Sequence, residues 1–193
     1  METFPYQWYG SNPTFGDPSE FYFRPMLLVT IFGISGRFDT IGLVDTGAVE
    51  TVIPMDYWDE VEPVFRPGEE GELDSANGTP IFTKYGTVDI ATQLGDIIYR
   101  WSVKVGFSNE RDELVLGDLG FLRHFAVDFS CETRRMTVHD PVSLPAAFVA
   151  FVPTDELPRS YADVRNQMSR HGKQRERRRP RPRRRPPSPG ARR

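Results

Sequence analysis

The residues most able to do chemistry are Asp45, Thr46, Gly47 and Ala48, which follow directly on an apolar run. A carboxylate that leaves a strand end into a dry cleft can exchange a proton with a reacting group. A glycine close behind it allows a second loop to come near, because glycine has no Cβ. Taken alone, an Asp-Thr-Gly triplet is also a common surface turn. The apolar approach to Asp45 favours the buried, reactive interpretation.

A second segment supports that interpretation about 70 residues further on. Leu114-Val115-Leu116-Gly117 is an apolar strand that ends in glycine, and an alternating run, Ala126 to Phe129, follows it. The two segments, in this order, resemble the active-site loop and the apolar-apolar-Gly strand of retropepsin-like aspartic proteases. The resemblance covers roughly residues 23–138, and it implies that Gly117 lies beside the Asp45 loop as a structural glycine.

The resemblance implies an aspartic endopeptidase that needs no metal and no other cofactor. The sequence has one Asp-Thr-Gly and no Asp-Ser-Gly, so a second subunit must supply the other acid and the protein is expected to be a homodimer. Two Asp45 carboxylates at close range share one proton. By the same resemblance, they activate a water that attacks a peptide bond. Thr46 and Gly47 would support the paired loops, and Ala48 would line the cleft.

Retropepsin-like proteases also close the cleft with a hairpin flap. The best match here is Asn77-Gly78-Thr79, which lies between the Asp45 loop and the long strands. Glycine gives the mobility that a lid requires. Asn-Gly is equally typical of an ordinary hairpin turn.

The elements that must position Asp45 are predicted to be strands. Two β-rich runs, residues 27–32 and 38–44, flank a Gly-Ile-Ser-Gly turn and predict a hairpin whose second strand delivers Asp45. Apolar residues alternate with polar ones from Ile97 to Phe107, which is strand periodicity over a long span. Residues 118–124 are compatible with a short helix. The fold class is therefore all-β, a small closed barrel-like aspartic protease fold with one or two short helices.

Four regions are expected along the chain. Residues 1–24 are predicted to form an irregular N-terminal arm, residues 25–140 the protease-like domain, and residues 141–168 a C-terminal extension. Residues 169–193 are rich in Arg and Pro and are predicted to be a disordered tail. Apolar residues recur at helical spacing within the extension and predict a short helix there; they are Leu157, Tyr161, Val164 and Met168.

Charge divides the chain in two. From Arg159 onward there are 14 Lys or Arg against two acids, and before it there are 10 against 25. The basic tail is therefore the only candidate for a nucleic acid or another acidic partner, although a simply solvated tail is equally expected. A lone cysteine, Cys131, excludes an internal disulfide. No signal peptide or membrane span is predicted, which favours a cytoplasmic location.

A second function class stays open on the sequence alone. The chain could be a catalytically silent, dimeric peptide-binding or scaffolding module with a basic nucleic-acid-binding tail. Intact Asp45 counts against this, because a pure binder does not need the acid. Nucleophilic catalysis has less support, since His124 and His139 have no recognisable partners in the sequence and the Gly33–Gly36 turn lacks nucleophile-elbow spacing.

Overall fold

Strands make up most of the computed structural model, which describes residues 1–11, 21–66, 70–74, 80–110, 112–141 and 148–150, with 161 and 164. They are β1 (Glu2–Pro5), β2 (Gln7–Ser11), β3 (Phe21–Arg24), β4 (Met26–Phe32), β5 (Arg37–Val44), β6 (Val52–Pro54), β7 (Glu70–Asp74), β8 (Pro80–Leu94), β9 (Ile97–Ser108), β10 (Leu114–Leu116), β11 (Val127–Ser130), β12 (Arg135–Val138) and β13 (Phe148–Ala150). The helical residues in these ranges are a 3-10 turn at Met55–Tyr57, the one-turn α1 (Trp58–Val61), and Tyr161 and Val164. No helix in the described ranges is long and apolar enough to cross a membrane.

Six of these strands close into a barrel in the order β9-β6-β10-β5-β4-β8, and a β8–β9 pairing joins the two ends. β8 and β9 pair antiparallel from Thr83↔Ser108 to Leu94↔Ile97. Outside the barrel, β7 pairs antiparallel with β8, and β13 pairs antiparallel with β9. The predicted all-β class with a closed barrel is therefore confirmed, as is the hairpin, which is formed by β4 and β5.

The barrel core contains one side of each strand. On β9, Tyr99, Trp101 and Phe107 are buried, as the alternation predicted, and the indole Nε1 of Trp101 donates to the carbonyl of Gly120 at 2.8 Å. Val103 is half-buried, and Ile97 departs furthest from the pattern, since it is 39% exposed. It is the first residue after the tight β8–β9 turn, where the strand has only begun.

The N-terminal arm is more regular than its sequence predicted. β1 pairs antiparallel with β12 to make a three-stranded sheet in the order β1-β12-β11, and β2 pairs with β3. Thr3 and Thr137 face each other across β1 and β12 with their hydroxyls 2.9 Å apart. Phe4 and Tyr6 pack against the barrel core. In the sequence, Phe4, Tyr6 and Trp8 recur at the two-residue period of a strand, but the run is short and Pro5 lies within it, so it did not identify a strand.

Residues 118–124 form hydrogen-bonded turns rather than the predicted helix. Amides of Arg123 and Phe125 donate to the carbonyls of Asp118 and Phe121 at 3.1 Å in each case. Gly120, in the middle of the segment, has a φ of +121°, which a right-handed helix does not allow. At the C-terminus, Tyr161 and Val164 are helical, whereas Leu157, Met168 and the tail, residues 169–193, lie outside the described residues.

Candidate active site

Asp45 directly follows β5, at the point where the neighbouring parallel strand β10 also ends. β10 lies parallel to β5, with Leu116 opposite Val44. The amide of Val44 donates to the carbonyl of Pro25 at 2.9 Å, and the amide of Asp45 donates to the carbonyl of Leu116 at 3.2 Å. The end of β5 that carries Asp45 is thus held by a hydrogen bond on each side, while the Asp45 side chain is half-buried.

The carboxylate is oriented by its own loop. The amide of Gly47 donates to Asp45 Oδ1 at 2.8 Å, and the amide of Ala48 donates to the carbonyl of Asp45 at 3.2 Å. Thr46 and Gly47 are exposed, and Ala48 is half-buried. The loop therefore presents an oriented carboxylate next to an open edge formed by a hydroxyl and a glycine.

Gly117 lies against the end of that loop. A Cβ placed on Gly117 would be 2.4 Å from the carbonyl oxygen of Glu50 and 2.8 Å from that of Ala48. Real Cβ atoms essentially never come closer than 3.0 Å to another atom, and here the neighbours are backbone. Only glycine fits between β10 and the loop without moving one of them.

Four hydrogen bonds join the loop to the segment after β10. Amides of Asp118 and Leu119 donate to the carbonyls of Ala48 and Val49 at 2.9 and 2.7 Å, and the amide of Thr51 returns to the carbonyl of Leu119 at 3.0 Å. The hydroxyl of Thr51, which is fully buried, accepts the amide of Gly117 at 3.2 Å. The Asp45 loop is therefore rigidly positioned from its far end as well.

The predicted flap cannot be located, because Asn77, Gly78 and Thr79 lie outside the described residues. The strands on either side of them are described. β7 and β8 pair from Glu70↔Lys84 to Asp74↔Pro80, which makes them two arms of one hairpin.

The structure adds two residues that sequence analysis missed, Glu50 and Tyr85. Burial, with a hydrogen bond to Glu50 and its negative charge, raises the pKa of Tyr85 to about 12. Glu50 Oε2 is buried and has no hydrogen-bond partner among the described residues. Both side chains line a cavity of about 470 Å³; its other lining residues are Ser102, Val103, Lys104, Leu119, Gly120, Arg123 and His124. An acid directly before the buried Thr51 was the available signal in the sequence.

The other candidates considered from the sequence lie in two places. His139, directly after β12, pairs with Asp128 on β11, with His139 Nε2 2.7 Å from Asp128 Oδ2. Cys131, in the turn between these strands, is exposed with a free thiol. His124 lines the Glu50 cavity. Among the described residues, no group of three or more His, Cys, Asp or Glu is arranged to hold a metal ion.

No protein-family model and no curated protein matches this chain. Among solved structures, the chain is similar to the EIAV protease complexed with the inhibitor HBY-793, with 19% sequence identity and a TM-score of 0.39. The match covers 49% of this chain and 81% of that chain.

Proposed function

We propose that this protein is an aspartic endopeptidase whose catalytic unit is a homodimer with one Asp45 from each subunit. The observation that carries the proposal is the Asp45 loop itself. An oriented carboxylate emerges half-buried at a strand end, and the loop behind it is fixed by four hydrogen bonds to the Gly117 segment. Such fixed placement is what proton-transfer catalysis requires.

A second copy is proposed because one Asp45 cannot perform both proton transfers at once. The exposed Thr46 and Gly47 provide a small, open edge at which an identical loop can pack. A two-fold axis through this edge would place two equivalent carboxylates together. Like charges at that distance leave one proton shared between them.

The proposed reaction follows from the shared proton. The unprotonated carboxylate takes a proton from water, and the oxygen of that water forms a bond to the peptide carbonyl carbon. The protonated partner donates to the carbonyl oxygen as it becomes negative. When the carbon–nitrogen bond breaks, a carboxyl proton passes to the leaving amine, and the dyad returns to its singly protonated state.

The test is Asp45→Asn, which keeps the shape of the side chain and removes its basicity. We expect the variant to keep its dimeric mass and its circular dichroism spectrum, and to lose cleavage of a broad peptide library across acidic to neutral pH. Asp96→Asn, in the exposed β8–β9 turn, is the matched control and should cleave like the parent.

Two outcomes would contradict the proposal. Equal cleavage by Asp45→Asn and the parent would place the chemistry elsewhere. A folded, dimeric parent that cleaves no peptide at any pH would instead favour a peptide-binding or scaffolding protein.

A further inference from the structure

Side chains on the two faces of β5 pack into two different clusters. Phe38 and Val44 belong to the barrel core, whereas Ile41 and Leu43 belong to a separate cluster on the outer face. Side chains two residues apart in a strand point to the same side. The amide of Asp45 continues the ladder by donating to Leu116. The Asp45 side chain therefore leaves the strand on the same side as Ile41 and Leu43.

That outer face is apolar beside Asp45. Met26 pairs with Leu43 and Leu28 pairs with Ile41 across β4 and β5, so the four side chains form one outer patch (Met26, Leu28, Ile41 and Leu43). The patch ends two residues from Asp45. An apolar wall next to a reactive carboxylate is what an apolar peptide side chain would bind.

In this structure two described residues of the chain's own C-terminal extension, Tyr161 and Val164, cover the patch. Val164 is only 1% exposed and packs with Met26 and Ile41. Tyr161 packs there too, and its hydroxyl donates to the carbonyl of Met26 at 2.8 Å. These two residues, here called the strap, lie more than 110 positions after the strands that they cover.

We propose that the strap is an autoinhibitory contact that occupies the outer patch in place of an apolar substrate side chain. This rests on the proposed peptidase function. The described contact includes the buried Val164 side chain, the packed Tyr161 ring and the hydrogen bond to Met26. None of the strand pairings that close the barrel involves it, so a substrate can displace it without unfolding the barrel. If the strap competes with substrate, the apparent Kd equals the intrinsic Kd divided by the fraction of molecules in which the patch is open.

The test compares Val164→Asp with Val64→Asp, a matched change at a valine that is 54% exposed. For peptides with leucine beside the scissile bond, Val164→Asp should lower KM at least about fivefold while kcat stays the same. Peptides with alanine at that position should respond less, because they gain less from the patch. Val64→Asp should change neither constant.

Binding measured without turnover separates this proposal from the peptidase assignment. In an Asp45→Asn background, fluorescence anisotropy of the labelled leucine peptide should show the same gain in affinity on Val164→Asp. If the affinity rises but the parent with intact Asp45 cleaves nothing, the strap proposal stands and the peptidase function is contradicted. If the parent cleaves peptides and Val164→Asp has an unchanged or higher KM, the autoinhibitory role of the strap is contradicted.

A milder variant covers the case in which Val164→Asp does not fold. Tyr161→Phe keeps the ring and removes the hydroxyl that donates to the carbonyl of Met26. It should shift KM and peptide affinity in the same direction by about two- to tenfold, which is the contribution of one such bond. No shift in folded Tyr161→Phe, together with loss of folding in Val164→Asp, would show that the extension is a structural cover only.

Discussion

Substituting Gly117 by alanine is the sharpest perturbation of the loop that carries Asp45. The added Cβ would start 2.4 Å from the Glu50 carbonyl oxygen, so loop and β10 must separate by at least about 0.6 Å to reach 3.0 Å. Overpacking of this kind costs about 1–3 kcal/mol. The hydrogen bonds from Asp118 and Leu119 to the loop would lengthen, at about 1 kcal/mol for each bond lost.

We therefore expect Gly117→Ala to lower the free energy of unfolding by about 2–4 kcal/mol in urea titrations. Peptide cleavage should fall by about 10- to 100-fold, since displacement of a catalytic group by about 1 Å costs about 100-fold and the separation here is at least about 0.6 Å. Gly71→Ala is the control, because its nearest contacts are all with the Tyr85 side chain, the closest a ring carbon at 3.1 Å, and its cost should stay below about 1 kcal/mol. A Gly117→Ala protein within about 0.5 kcal/mol of the parent and fully active would refute this account of the loop.

Two further predictions concern the polar side chains of Thr51 and Tyr85. Thr51→Val removes the acceptor of the Gly117 amide, and urea titration should show a loss of about 1–3 kcal/mol; an unchanged midpoint would mean that the bond contributes nothing. The pKa of Tyr85 is raised to about 12 in the folded chain, so its contribution to stability is complete below pH 10 and is lost as pH rises toward 12. The parent should lose stability over that range faster than Tyr85→Phe, and parallel pH curves for the two proteins would contradict this.

The strands around Asp45 were predictable because their signal is local. The β4–β5 hairpin has two apolar runs separated by glycine-containing turn residues, and β9 alternates over most of its length. Closure of the barrel was expected from the resemblance of the Asp45 and Gly117 segments, and the parallel pairing of β10 with β5 agrees with it. The space requirement at Gly117 is visible only with the Glu50 carbonyl in place.

Contacts between distant segments were not predictable from sequence. Nothing near Tyr85 indicates that its hydroxyl meets Glu50, which is 35 positions earlier. The helical spacing of Tyr161 and Val164 indicated an apolar face but did not identify its partner. That partner is the outer side of β4 and β5, which is distant in the sequence. The pairing of β1 with β12 was missed for the same reason, since edge strands find partners by shape and hydrogen bonding rather than by sequence pattern.

The measurement that tests the central claim most directly is a mixing experiment between the parent and Asp45→Asn. After equal amounts have exchanged subunits, a site that needs both carboxylates is present only in parent homodimers, and activity should be about one quarter of that of the same total amount of parent. Catalysis within single subunits would leave about one half. A value of one quarter supports the shared pair of Asp45 residues, and a value of one half contradicts it.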